Sequence, residues 1–492
     1  EEEEEEPGNA GGESEAVAPP PVSDGVPPAA PVAGRSEATD AVGVMLQSAR
    51  RVWGKPNVFQ RMMSAAAAGG GGGADEGVLG AEEDVPPAGR GRGKGRGKGG
   101  GRGGGGGRGG RSGFGGGGPL PHFKFVSGTP FVVDGFGEPP REGRLYFLTH
   151  FHADHYCGLS RRWSDGLAGS SSQIVCSHIT ARLVARRLGV PEEKLRPLPL
   201  RTPAAVGGGG VSATVELIDA NHCPGAVLLL FRLSDGRAVL HTGDFRYEPR
   251  IGAEVLSALG GRRLDLLYLD NTYCDPRHVF PPQAAVLEAV QRECRLLLES
   301  RRTLVLFGAY TIGKERVFLL AARSLGLRLH VSAARLATLS CLDLPRADVE
   351  RLTTDASATR WAVVPMGHLR FDRIKAMLQA SNGRFTAAVA FRPTGWCASS
   401  SAAGAGAAGR TLRAGATRII EVPYSEHSSF GELQACVREL RPDHIVPTVG
   451  EAKAARAACE QLRGPKAAPV QATLAASAAS AHITVSVGEC GV

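Results

Sequence analysis

Residues 147–159 read FLTHFHADHYCGL, and the six positions 150–155 hold three histidines and an aspartate: His150, His152, Asp154 and His155. Four titratable side chains this close repel or compete unless something holds them, and a metal does so most simply. The residues before them are apolar and read as a strand. His150 and His152 therefore sit at i and i+2 of extended chain and project to the same side. Asp154 and His155 follow at the turn into the next segment. Four donors on one loop crowd a single ion, so two adjacent metals fit better. Imidazoles mixed with carboxylates suit Zn²⁺, at about 2.0–2.2 Å per ligand. A dinuclear centre needs further donors from elsewhere, one of them able to bridge. His222 in IDANHCPGAV and Asp244 in LHTGDF meet that need. Each follows an apolar run and lies near Gly or Pro, and Gly lets backbone approach a site closely.

The chain has 492 residues, enough for two or three domains, yet much of it is not core material. Its 67 glycines concentrate in runs such as AAAAGGGGGADEG and GRGRGKGRGKGGGRGGGGGRGGRSGFGGGG. Such segments bury too little apolar surface to offset backbone entropy. Residues 1–118 therefore read as a disordered tail. The net charge is +8 despite an opening EEEEEE, and part of the surplus is the glycine-spaced set Arg90, Arg92, Lys94, Arg96, Lys98, Arg102, Arg108 and Arg111. That tract suits salt-sensitive contact with nucleic-acid phosphates, and equally a solubilising linker or an import signal. Residues 38–63 read as a short amphipathic helix, a nascent helix of the tail rather than a docking peptide. All 10 cysteines follow residue 150 and none forms a CxxC pair. With no secretory signal or membrane span visible, this predicts a reducing, intracellular setting. The chain opens on Glu1, which leaves an organelle leader open. Cys157, Cys223 and Cys274 lie near the motifs without zinc spacing and read as buried small hydrophobes. His178, His241 and His278 read as structural.

From PHFKFVSGTPFVVDGF onward, strand-like and helical runs interleave, so the fold class is α/β. RLYFLTH, TVELIDA, AVLLLFRL and RAVLHTGDF read as strands. SHITARLVARRLGV and PQAAVLEAVQRECRLLLES read as helices. A second α/β stretch spans about 275–390, and SSSAAGAGAAG at 399–409 reads as a surface loop.

HxHxDH, a downstream histidine and then TGD resemble the metallo-β-lactamase superfamily. IDANHCPGAV, LHTGDFR, YLDNTYC, GAYTIGKE, FRPTGW and PYSEHSS together resemble its β-CASP branch, and within it the DNA interstrand cross-link repair nucleases. The resemblance covers roughly 121–460. It implies an αββα sandwich with an inserted β-CASP α/β cap: 1–118 tail, 119–271 first part of the sandwich, 272–390 cap, 391–465 last part, and 466–492 a C-terminal tail. It implies that His150, His152 and His222 hold one metal, that Asp154 and His155 hold a second, and that Asp244 bridges them. It implies that Asp134 in FVVDGF supports the ligand loop from behind, and that Asp270 and His427 act beside the scissile phosphate. One tightly held Zn²⁺ and a weaker second site, open to Mg²⁺ or Mn²⁺, are expected.

The chemistry is that of a metal-dependent phosphodiesterase, with His427, held by Asp270, protonating the leaving oxygen. Ser429-x-x-Glu432 is a capping-box pattern, and Gly313-Lys314 precedes another helix. Lys314, Ser428 and Ser429 are thus candidates for a phosphate pocket, ordinary helix capping being the equal alternative. The expected activity is a 5′-to-3′ DNA exonuclease acting from 5′-phosphorylated ends in cross-link or double-strand break repair, in the nucleus, with repair partners on the tail and no membrane. The alternatives are an RNA-processing β-CASP endonuclease and a non-catalytic scaffold. In the RNA-acting branch a further histidine completes the second metal's ligands. The matching position in DHIVPTVG is Val449, which resembles the DNA-acting branch, and the nearby His444 reads as a strand-entry residue.

Overall fold

In the computed structural model, residues 120–167, 173–395, 406–450 and 452–463 are described. The expectations for the 1–118 tail with its Gly/Arg tract, for 399–405 and for the 466–492 tail lie outside these residues.

Two sheets form the sandwich. The first is parallel, with strands Phe131–Val133, Leu145–Phe147, Ile174–Ser177 and Leu195–Leu198 in sequential order. The second has six strands, in the order His444–Pro447, Leu266–Leu269, Ala238–His241, Val227–Leu233, Val211–Asp219 and Ala204–Gly208. Alternation along Val227–Leu233 sets the layers. Val227, Leu229, Phe231 and Leu233 enter the core between the sheets, beside Phe131, Val133 and Phe147, while Leu228 and Leu230 face the outer helices. Both faces are covered, so the run is apolar throughout. Helix His178–Leu188 covers the first sheet, and Pro249–Leu259 packs with Phe430–Leu440 over the second. Trp163 stands edge-on to Phe136 and Tyr146, with ring centroids at 5.0 and 4.9 Å.

The chain leaves the sandwich after Leu266–Leu269 and builds the cap. This is a seven-stranded sheet in the order Leu352–Thr353, Leu329–His330, Trp361–Pro365, Thr303–Ala309, Ala387–Pro393, Thr417–Val422 and Arg410–Ala414. Only the last pair is antiparallel. Helices Gln283–Leu296 and Glu315–Leu325 pack together over it. The cap sheet thus continues to Val422, beyond the expected boundary at 390. Thr417–Val422 pairs in parallel with Ala387–Pro393, which an apolar strand does more readily than it stays in a connection. The return to the sandwich follows, and strand His444–Pro447 closes the six-stranded sheet beside Leu266–Leu269. No helix among the described residues is long and apolar enough to cross a membrane.

Gly158 ends the short helix after the histidine cluster, at φ 92°. A Cβ there would fall 2.2 Å from the Phe136 carbonyl oxygen, and backbone cannot move aside cheaply. Gly158→Ala is expected to cost roughly 3 kcal/mol or more, from left-handed strain plus overpacking. Denaturant midpoints of metal-free protein check this, and a wild-type midpoint would refute it.

Candidate metal centre

Strand ends build the site. Asp134 follows Phe131–Val133, Thr149 and His150 follow Leu145–Phe147, and His222 follows Val211–Asp219. Asp244 follows Ala238–His241 and Asp270 follows Leu266–Leu269. Ala238–His241 and Leu266–Leu269 are parallel, and Val211–Asp219 reaches the same direction through two antiparallel steps. Their C-terminal ends therefore open on one side, where α/β folds place sites. His152 caps the short helix Ala153–Tyr156 in extended conformation, and that helix carries Asp154 and His155.

Three groups of donors result, each with its atoms within 4.8 Å of one another: His150, His152, His222 and Asp244; Asp154, His155 and Asp244; Asp244, Asp270 and His427. Asp244 belongs to all three. Its Oδ2 lies 3.7 Å from His150 Nε2, 3.9 Å from His222 Nε2, 3.2 Å from His155 Nε2 and 3.9 Å from His427 Nε2.

The far nitrogen of each candidate ligand histidine is engaged, which fixes the tautomer. His155 Nδ1–H donates to Asp134 Oδ2 at 2.7 Å. The Thr149 hydroxyl donates to the same oxygen at 2.7 Å and can accept from His150 Nδ1–H at 2.9 Å. His222 Nδ1–H donates to the Glu426 carbonyl at 2.9 Å, and His152 Nε2–H to the Ile312 carbonyl at 3.2 Å. His222 Nε2 and His152 Nδ1, left without protons, face each other at 3.1 Å. His150 Nε2 is buried with no hydrogen-bond partner. Two facing lone pairs and an orphaned third, beside a carboxylate, are costly unless a cation accepts them. The donor set fits a metal on this ground. Asp134 sits at φ 51°, and its carboxylate also accepts the Thr149 N–H at 2.8 Å.

Electrostatics agree. Burial drives His150 well below the usual histidine range and takes His152 and His222 down to about 3, so all three are neutral ligands at physiological pH. His155 is also buried, but Asp244, Asp154 and Asp134 outweigh that and hold it well above its usual range. Asp244 stays well below the carboxylate range, because His155 and His427 outweigh its burial. A proton on His155 thus sits where a cation would displace it.

Residues 137–298 match the beta-lactamase superfamily domain, and residues 347–453 match the DNA repair metallo-beta-lactamase domain. The DNA cross-link repair protein SNM1 of Arabidopsis thaliana is 42% identical over 339 residues, covering 68% of this chain and 67% of that protein. The chain belongs to the DNA repair metallo-β-lactamase family. The human DNA cross-link repair 1A protein is 39% identical over 331 residues, 67% of this chain but 30% of that one. The 5′ exonuclease Apollo of Gallus gallus is 38% identical over 327 residues, 66% of this chain and 63% of the other. The chain thus spans two thirds of the plant relative and about a third of the animal cross-link repair 1A proteins.

Within this family fold, His427 Nδ1–H donates to Asp270 Oδ2 at 2.8 Å. Burial would lower its pKa, but Asp270 and Asp244 raise it to about 9. Asp270 is fixed in turn by the Thr272 hydroxyl at 2.6 Å and the Thr272 N–H at 3.0 Å. The pair can deliver a proton beside Asp244.

Each of the three phosphate candidates has a partner within the protein. Lys314 is buried, with Nζ 3.1 Å from Glu426 Oε2. Ser428 Oγ donates to the Phe245 carbonyl at 3.0 Å and accepts the Tyr247 N–H at 2.9 Å. Ser429 completes a capping box with Glu432. These contacts are those that the capping alternative requires. Cys157 is exposed at its helix end and Cys274 half-buried, unlike the expected buried thiols, whereas Cys223 is buried. His241 is buried behind the site, accepts the Gly243 N–H at 3.1 Å and stacks on Tyr268. The sequence reading passed over Thr149, Ile312 and Glu426. Thr149 adjoins the motif and offers a side-chain signal; Ile312 and Glu426 meet the histidines through main-chain carbonyls, which leave none.

Proposed function

We propose that this chain is a metal-dependent DNA nuclease, a 5′-to-3′ exonuclease working from 5′-phosphorylated ends in interstrand cross-link or double-strand break repair in the nucleus. The observation that carries this is Asp244, shared between two donor groups with the Asp270–His427 pair beside it. Zn²⁺ is held in this reading by His150, His152, His222 and Asp244. A weaker ion, Zn²⁺, Mg²⁺ or Mn²⁺, is held by Asp154, His155 and Asp244. Metal chemistry at such a site acidifies water and neutralises charge on phosphoryl oxygens. Asp244 orients both donor groups, and His427 gives a proton to the leaving 3′-oxygen. The relatives' names, cross-link repair protein and 5′ exonuclease, support the assignment. Repair partners would engage the tail, outside the described residues.

DNA is favoured over RNA by Val449. Its backbone N–H and carbonyl pair with the Asn271 side chain, both at 2.9 Å, and its half-exposed side chain cannot ligate. His444 begins the strand His444–Pro447 and belongs to none of the donor groups found among the described residues. The second donor group therefore keeps three residues and binds its ion weakly.

The test is digestion of labelled single-stranded DNA and RNA, each with a 5′-phosphate or a 5′-hydroxyl, beside the zinc content of the purified protein. DNA with a 5′-phosphate is expected to be shortened fastest, with about one tightly held zinc per chain. Faster cleavage of RNA with two tight zincs would reverse the substrate assignment. Equal rates on both DNA ends would remove the end preference.

A further inference from the structure

The two carbonyls that orient His152 and His222 do not come from the sandwich loops that carry those histidines. Ile312 lies in the turn between cap strand Thr303–Ala309 and cap helix Glu315–Leu325. Glu426 lies on the segment by which the chain returns from the cap. One carbonyl fixes His152 and the other fixes His222. These are the two rings whose unprotonated nitrogens face each other.

A single side chain locks the two segments together. Glu426 Oε1 accepts the Lys314 backbone N–H at 2.8 Å, and Oε2 pairs with Lys314 Nζ at 3.1 Å. Both residues are buried. The turn that presents Lys314 is unusual: Gly313 has φ 96° and Lys314 has φ 68°. The Gly313 N–H is taken by both Glu315 carboxylate oxygens, at 2.9 and 2.8 Å. Two successive amides are thus gripped by two carboxylates, which points the preceding Ile312 carbonyl at His152. The turn has no slack, since a Cβ on Gly313 would lie 3.0 Å from Glu426 Oε2 and 3.6 Å from His152 Nε2. A side chain of any size would push on both the clamp and the ligand.

We infer that Lys314 and Glu426 are positioning residues that make the cap part of the metal centre, so that cap docking and the affinity of the His150–His152–His222 group for zinc are one coupled property. The inference rests on the metal-centre reading above. A partner that fixes a ligand's orientation typically changes metal affinity by about 10–100-fold when removed. Here the partners are main-chain carbonyls, and the clamp is what a mutation can reach.

The experiment measures Zn²⁺ affinity of the full chain by competition with a chromophoric chelator, alongside thermal unfolding. Lys314→Met and Glu426→Gln are each expected to weaken the tightest zinc by about 10–100-fold. The double variant should be no worse than the poorer single, since all three remove one clamp. It leaves no lone buried charge, so it serves as the measure if either single variant fails to fold. Lys314→Arg should recover part of the loss. Arg323→Met, which breaks the Arg323–Asp348 ion pair within the cap, should lower the melting temperature and leave zinc affinity at the wild-type value. Tight zinc in the wild type with unchanged affinity in the clamp variants overturns this inference alone. Equal weakening by Arg323→Met also overturns it, by showing that any loosening of the cap suffices. No tight zinc in the wild type overturns the metal centre and this inference with it.

Discussion

Asp154→Ala should abolish nuclease activity while the protein melts at its wild-type temperature. The side chain of Asp154 is 56% exposed, on the four-residue helix Ala153–Tyr156, and contributes nothing to the core. Its carboxylate lies 3.4 Å from His155 Nε2, in the donor group that shares Asp244 with the first. Removing it leaves that group with two donors, too few to hold an ion against water. Loss of a metal's charge stabilisation costs several kcal/mol, and at 1.36 kcal/mol per decade this is about 10³-fold or more in rate. Single-turnover cleavage of 5′-phosphorylated single-stranded DNA measures it, with circular dichroism and melting as the check on folding. Full activity in this variant, or in wild type after exhaustive chelation, would remove the metal from the mechanism.

His427→Ala should lower kcat by about 10²–10⁴-fold with little change in zinc affinity, the usual range for losing a positioned proton donor. The sign of the pH dependence follows from its raised pKa. His427 is protonated below about 9, so the acid form is present at neutral pH and is lost as pH rises through that value. Cations bound nearby repel the imidazolium and bring the turnover point lower, not higher. The wild-type pH–rate profile should therefore fall on its alkaline side at or below about pH 9, and in His427→Ala that limb should disappear. Asp270→Asn should shift the limb further down, because the carboxylate that stabilises the charged ring is gone. An unchanged alkaline limb in His427→Ala would assign the proton to another group.

Legibility in the sequence followed the kind of atom involved. His150, His152, Asp154, His155, His222 and Asp244 could be picked out because imidazoles and carboxylates at strand ends have few other uses in such a pattern. Strands such as Val227–Leu233 were readable as continuous apolar runs, but their arrangement as a sandwich came only with the resemblance, because a strand buried on both faces shows no alternation. The carbonyls of Ile312 and Glu426 were invisible, since any residue supplies a carbonyl. Lys314, Ser428 and Ser429 could not be assigned from sequence for a related reason. A helix start with Ser or Lys looks the same whether its donors wait for a ligand or are already satisfied, and here Glu426, Phe245 and Glu432 satisfy them. The cap's last strands were missed because a glycine- and alanine-rich run separates Arg410–Ala414 from the strands before it. Thr417–Val422 pairs in parallel with Ala387–Pro393 across that run, and a parallel pairing over a crossover leaves no local trace.

The placement of the cap also sets a timetable for biogenesis. Strand Leu266–Leu269 is an edge until His444–Pro447 arrives, and Thr448 donates to the Leu269 carbonyl across 179 residues. At about 5–20 residues per second, the nascent sandwich waits roughly 10–35 s with that edge open. An unpaired row of N–H and C=O groups on an apolar strand invites pairing with other chains. A similar interval, 157 residues, separates synthesis of Asp270 from that of His427. On the proposed roles of Asp270 and His427, the nascent chain stays incomplete until the cap has emerged and folded, so its riskiest period for aggregation is also one in which it would not cut.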